Sequence, residues 1–245
     1  MAQLDQTRLL DFINENINTF HEKRLRKIQG IKLHEVLRRK NPYLFRAKNI
    51  DTARELVTGL LEATLSSSEE GLFGGFLEAL AIYVNQQVYG GQKSSSPGID
   101  LDFVRDGTRY LVAIKSGPNW GNSSQYQALR ENFKKALRIL RQSSQSLPAR
   151  TVLGICYGSA APVDNGEYWR LEGQAFWEFI SGSSSLYLDL IEPLGTAAQQ
   201  HYEAFVAEKE RTLERLITEF AEQFSGINGQ IDWDKLVRYN SGNLS

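Results

Sequence analysis

The chain has 245 residues, 41% of them hydrophobic and 23% charged. That is the composition of a folded globular protein long enough to bury a substantial core. Cys156 is its single cysteine, so no intramolecular disulfide can form and a reducing, cytoplasmic setting is expected. The start, Met1-Ala2-Gln3-Leu4-Asp5, lacks the basic flank and apolar stretch of a signal peptide, and no apolar run approaches the ~20 residues that cross a bilayer. Secreted, collagenous and membrane-spanning classes are therefore not expected.

The net charge of −1 conceals a local asymmetry. Between His21 and Lys48 stand ten cations, among them Lys23, Arg24, Lys32, Arg38, Arg39, Lys40, Arg46 and Lys48, against the two acids Glu22 and Glu35. From Asp51 to Gly90 Arg54 is the sole cation, and the acids are Asp51, Glu55, Glu62, Glu69, Glu70 and Glu78. A basic arm beside an acidic stretch suggests a surface that meets a polyanion with carboxylates held nearby, although a solvated helical face would carry the same charges. Tyr43 and Phe45, set among the last cations, tilt the reading toward nucleic acid.

In chain order, Leu9, Leu10, Ile13, Ile17 and Phe20 recur at helical spacing and open the chain with an amphipathic helix. Pro42 ends the helix that carries the arginine run. Thr52-Ala53-Arg54-Glu55 and Ser67-Ser68-Glu69-Glu70 read as capping boxes that start helices over about 52–65 and 68–87. Ile99 to Val104 then alternates as a half-buried strand, Asp106-Gly107 marks a tight turn, and Tyr110 to Lys115 returns. Gly117-Pro118-Asn119 breaks that strand. A helix follows over about 124–141, and Thr151 to Tyr157 is a continuous apolar strand buried on both faces and reached by a crossover. The segments 174–180 and 186–191 are ambiguous. A long helix is expected over about 197–224, with Tyr202, Phe205, Val206 and Leu213 on its apolar side.

The informative chemistry lies in Pro97-Gly98-Ile99-Asp100, the hairpin, and Ala113-Ile114-Lys115. An aspartate at the start of one strand and a lysine at the end of its antiparallel partner can meet at one edge of a sheet. Metal-assisted phosphodiester hydrolysis needs such a meeting: carboxylates for the ion, a lysine for the water or the developing charge. Other chemistries lack their residues. His21, His34, His201 and Cys156 show no zinc spacing, no GxSxG elbow occurs, and Gly90-Gly91-Gln92-Lys93-Ser94 lacks the adjacent Gly-Lys of a phosphate loop and its upstream glycine.

The order aspartate, hairpin, x-x-lysine resembles the PD-(D/E)xK nuclease superfamily. The stretches Lys40 to Lys48, the Ser-Ser-Glu-Glu helix to Glu78, Gly98 to Phe103, and Ile114 to Asn119 narrow the resemblance to type II restriction endonucleases, over about 40–191. It implies an α/β fold with a restriction-endonuclease-like central mixed β-sheet flanked by helices. A basic helical DNA-binding arm (1–66) would precede a catalytic core (67–195), and a helical extension (196–245) would follow, the three forming one compact unit. Asp100 would bind the metal, Lys115 would attend the attacking water, and the Ile114 carbonyl would be a main-chain ligand. Ala113 stands where the motif has Asp or Glu. Three acids could substitute: Glu78 ranks first, lying away from its helix's apolar stripe, Asp102 second, and Glu131, which reads as solvated, third. The implied cofactor is Mg²⁺, with Mn²⁺ as a substitute. The implied partners are double-stranded DNA, a second copy in a homodimer and a cognate DNA methyltransferase. DNA contacts are expected from Arg38, Arg39, Lys40, Arg46 and Lys48, and from Asn119, Trp120, Asn122, Ser123 and Gln125. A helix-entry loop capped by Ser123 or Ser124 explains the serines equally well. Two rivals remain open: a DNA-binding protein of the same fold that does not cut, and a structure-selective repair or junction nuclease.

Overall fold

A computed structural model describes residues 3–142, 147–226 and 229–242. In chain order its elements are α1 (Gln6–Gln29), α2 (Leu33–Arg39), α3 (Pro42–Ala47), α4 (Ala53–Tyr89), β1 (Gln92–Lys93), β2 (Leu101–Arg105), β3 (Thr108–Lys115), α5 (Ser123–Gln142), β4 (Ala149–Ile155), β5 (Val163–Asp164), β6 (Trp169–Glu172), α6 (Gln174–Ser181), α7 (Leu186–Asp189), α8 (Ile191–Gln199), α9 (Tyr202–Phe224) and α10 (Trp233–Ser241). They form two compact units. Unit 1 comprises Met1–Asn18 and Phe73–Ala197, unit 2 Thr19–Leu72 and Ala198–Ser245. Among the described residues no helix is long and apolar enough to cross a membrane.

Unit 1 is a mixed six-stranded sheet in the order β1-β2-β3-β4-β6-β5, flanked by helices. The β2–β3 hairpin pairs Leu101 with Val112 and Arg105 with Thr108. Its turn places Asp106 and Gly107 at φ 49° and 72°, the left-handed pair a two-residue hairpin loop requires. β3 then runs parallel to β4, and β4 to β6, with α5 as the connection after β3. Alternation along the strands divides the core. Leu101, Phe103, Val112, Ile114 and Val152 pack with Leu9 and Ile13 of α1, Leu77, Leu80 and Val84 of α4, and Phe176 of α6. On the other face Leu111, Ala113, Leu153 and Ile155 pack with Leu129, Phe133 and Ala136 of α5. Both faces are covered, as parallel strands need.

Unit 2 is helical. Ile28, Leu33, Val36, Leu37, Phe45, Leu56, Leu60, Leu216, Phe220, Phe224 and Leu236 form one buried cluster. Beside it His21 is buried and stacks on His201 with ring centroids 4.7 Å apart. Its Nδ1 has no hydrogen-bond partner.

Several elements differ from the sequence reading. Helices expected over 52–65 and 68–87 are the single 37-residue α4. The first capping box forms, Glu55 N donating to Thr52 Oγ1 at 3.2 Å and Thr52 N to a Glu55 carboxylate oxygen at 3.3 Å. The second does not. Ser68 Oγ instead donates to the Leu65 carbonyl at 3.0 Å, a back-bond compatible with an unbroken helix. The helix that carries Arg38 and Arg39 does stop before Pro42, as expected, but Pro42 also opens α3 at its first turn, where a missing N–H costs nothing, and Asn41 caps it. The long C-terminal helix begins only at Tyr202, and Tyr202 and Val206 are exposed rather than packed. β1, β5, β6 and α10 carry patterns too short to announce themselves.

Candidate active site

Asp100 precedes β2. Its N–H donates to the Val112 carbonyl at 2.8 Å, which ties it to β3 at one end of the sheet. Its Oδ2 accepts from the Ile114 N–H at 2.6 Å. Burial pushes the Asp100 carboxyl above its ordinary range. The Ile114 hydrogen bond opposes that rise, the Glu78 carboxylate adds to it, and Lys115 and Lys93 oppose it in turn. Asp100, Glu78, Lys115 and Lys93 therefore share one electrostatic neighbourhood although they come from α4, the two sides of the hairpin and β1.

Each is placed by a different element. Glu78 is half-buried in the C-terminal half of α4, one position from the core residue Leu77. Lys115 ends β3 with its ammonium 5.4 Å from the centroid of Trp120, which in turn packs against Tyr126 of α5 at 4.6 Å. The Trp120 Nε1 is buried without a hydrogen-bond partner. Cys156, beside the site at the end of β4, has its thiol pushed up to about 12 by burial and by Glu78, so it stays protonated and unreactive at neutral pH.

Asp102 is differently occupied. Its two carboxylate oxygens accept from Arg109 Nε and Nη2 at 2.8 and 2.7 Å, a bidentate pair across the hairpin. Ala113 is wholly buried against α5, where a carboxylate would lie in apolar surroundings. Glu131 is exposed on α5. Among the described residues no group of three or more His, Cys, Asp or Glu side chains is gathered to hold a metal ion. Mg²⁺ commonly takes only one or two carboxylates from a protein, its other positions going to water and substrate phosphate, and the mutual repulsion of Glu78 and Asp100 is what a divalent cation relieves.

The loop after Lys115 is built as a helix entrance. Asn122 is the cap: its Oδ1 accepts from Gln125 N at 3.1 Å and from Ser124 Oγ at 2.7 Å, while Asn122 N donates to Gln125 Oε1 at 2.9 Å. Neither Ser123 nor Ser124 is the cap. Asn119 and Ser123 are exposed.

In unit 2, Arg26, Lys27, Lys32, Arg39 and Lys40 line a groove of about 440 Å³ with the hydroxyl residues Thr64, Ser67 and Ser68. Arg26 meets Glu22 at 3.0 Å and Lys32 meets Glu35 at 4.0 Å. Arg38 lies over Tyr239, Lys48 over Phe45, and Arg46 over Trp233 with an ion pair to Asp51 at 2.7 Å. Sequence reasoning missed Lys93 and the platform role of Trp120. The glycine pair before Lys93 was the available signal for the first.

Comparison with protein families matches residues 7–202 to the type II restriction endonuclease EcoO109I. The chain belongs to that family. The match covers the whole of α4, the β2–β3 hairpin and the loop after Lys115. No curated protein matches the chain.

Proposed function

We propose that this member of the type II restriction endonuclease EcoO109I family is a Mg²⁺-dependent enzyme with a restriction-endonuclease-like fold. It would cut both strands of duplex DNA at a specific short site and leave 5′-phosphate ends. The observation that carries this reading is the convergence of Asp100, Glu78 and Lys115 at one end of the sheet. Asp100 and Glu78, with the Ile114 carbonyl, would hold the ion, and Glu78 replaces the acid absent at Ala113. Bound there, Mg²⁺ supplies Lewis-acid polarisation of the phosphate and a more acidic water. Lys115 Nζ, steadied over Trp120, donates hydrogen bonds to the attacking water and to the phosphate oxygen where charge builds. Asp102 serves the hairpin through Arg109 and is not a ligand.

Arg39 and Lys40, with the other cations of the unit 2 groove, grip the DNA backbone, and their charge supplies sequence-independent affinity. The exposed Arg38, Arg46 and Lys48 add to that field. Asn119, Trp120, Asn122, Ser123 and Gln125 form a loop at the DNA, with Asn122 and Gln125 holding its shape. Two antiparallel strands cut at a symmetric site suit a C2 homodimer, and a cognate methyltransferase protects host sites.

The test is digestion of a long unmethylated DNA of known sequence with and without Mg²⁺, beside Asp100→Ala and Lys115→Ala. Discrete fragments are expected from the wild type alone and only with the metal. Binding without cleavage in both Mg²⁺ and Mn²⁺ would replace this reading with that of a DNA-binding protein of the same fold.

A further inference from the structure

The turn from α4 into β1 is built around two glycines. Gly90 takes φ +69° and donates to the Gln86 carbonyl at 3.1 Å, which ends the helix in a left-handed cap. A β-carbon at Gly91 would collide with the side chains of Asn85 and Phe103. Asn85 is itself fully buried and donates to the Ile180 carbonyl at 3.1 Å, so the turn has no slack. It folds the chain back along α4 and seats β1 on β2, Lys93 opposite Leu101 and Ser94 N donating to the carbonyl of Asp100 at 3.2 Å.

Opposed residues in a ladder share a face, and Leu101 faces α4. Lys93 thus points to the α4 side of the sheet, where its Nζ lies 3.4 Å from Glu78 Oε1. Its charge also reaches Asp100. The site then holds two carboxylates and two ammonium groups. The Lys93 side chain is 72% exposed, so the pair contributes little to stability, and fold maintenance does not account for a lysine held here.

We propose that Lys93 is a built-in counter-cation of the active site, occupying Glu78 until a divalent ion displaces it and so setting the ion concentration at which the site fills. The proposal rests on the metal-dependent reading above. Lys93 is a positioning residue that acts through Glu78. Its long exposed side chain can leave at small cost, which a half-buried partner held by two hydrogen bonds, such as Arg109, could not do.

The experiment is titration of the full chain with Mn²⁺ without DNA, followed by electron paramagnetic resonance, for wild type, Lys93→Gln, Lys93→Arg and Asp100→Ala. Lys93→Gln is expected to bind Mn²⁺ about three- to tenfold more tightly, by loss of one screened like charge near the ion. That gain should shrink as NaCl is raised. Lys93→Arg should match the wild type, and Asp100→Ala should lose the site. Unchanged or weaker binding by Lys93→Gln, with binding still lost in Asp100→Ala, would overturn the counter-cation and leave the nuclease reading standing. Absence of Mn²⁺ binding by the wild type would overturn both.

Discussion

The carboxylate end of the sheet in unit 1 and the basic groove of unit 2 handle charge in opposite ways. In the first, every charge has a defined neighbour: Asp100 the Ile114 amide, Glu78 the Lys93 ammonium, Lys115 the Trp120 ring, Asp102 the Arg109 fork. In the second, five cations line one groove, and the acids that meet them there are Glu22, at Arg26, and Glu35, at Lys32. A reacting centre needs each charge held in place, because its work depends on geometry. A polyanion grip needs only a surplus, because phosphate attraction is long-ranged and summed.

The largest effect that could break this contrast lies between two acids of the first region. Glu78→Gln should lower single-turnover DNA cleavage about a hundredfold or more, the scale of losing a group at the reacting centre, with little change in melting temperature. Asp102→Asn should do the reverse. Cleavage per folded molecule stays within about threefold, but stability falls by about 1–3 kcal/mol as Arg109 loses its partner. Thermal melts beside cleavage time courses separate the two, and a collapse of activity in a well-folded Asp102→Asn would move the ligand role to Asp102.

A smaller effect should come from the groove. In the triple variant Lys27→Ala, Arg39→Ala, Lys40→Ala, the slope of log affinity against log salt should flatten by about 0.9 for each phosphate that is no longer neutralised. Cleavage at saturating DNA should be unchanged. An identical slope, read by fluorescence anisotropy, would remove the groove from the DNA-binding surface.

The smallest effect sharpens the contrast inside unit 2, between its exposed cations and its buried imidazole. Burial first, then His201 and Arg24, hold His21 at about 4, below its ordinary 6.5. The unfolded chain takes up a proton near pH 6.5 while the folded chain does not. Stability is therefore full above pH 6.5, falls as pH drops toward 4 and levels below it. His21→Phe should flatten that part of a melting-temperature profile between pH 7 and 4.

Much of unit 1 was legible along the chain because its signals are local. Period-two alternation and Asp106-Gly107 announce the β2–β3 hairpin, and the apolar stripe of α5 announces its helix. Asp100 and Lys115 could be brought to one end of the sheet by counting residues through that turn. Even the occupation of Asp102 was within reach, since Arg109 falls diagonally across the hairpin on the same face. The long α4 was not, because a serine run with glutamates reads equally as a cap or as back-bonded helix. Packing of Leu56, Leu60 and Leu61 in one core and Leu77, Leu80 and Val84 in another decides the matter.

The sequence by itself determined the charge asymmetry, the hairpin and the aspartate–lysine pair, because each depends on neighbours a few residues apart. Only the tertiary structure decided which acid stands by Asp100, that Ala113 is packed away beneath α5, and that Lys93 returns to Glu78 through two glycines. Those are meetings of separate elements, and their distances follow from core packing and strand register, which no stretch of the chain encodes alone.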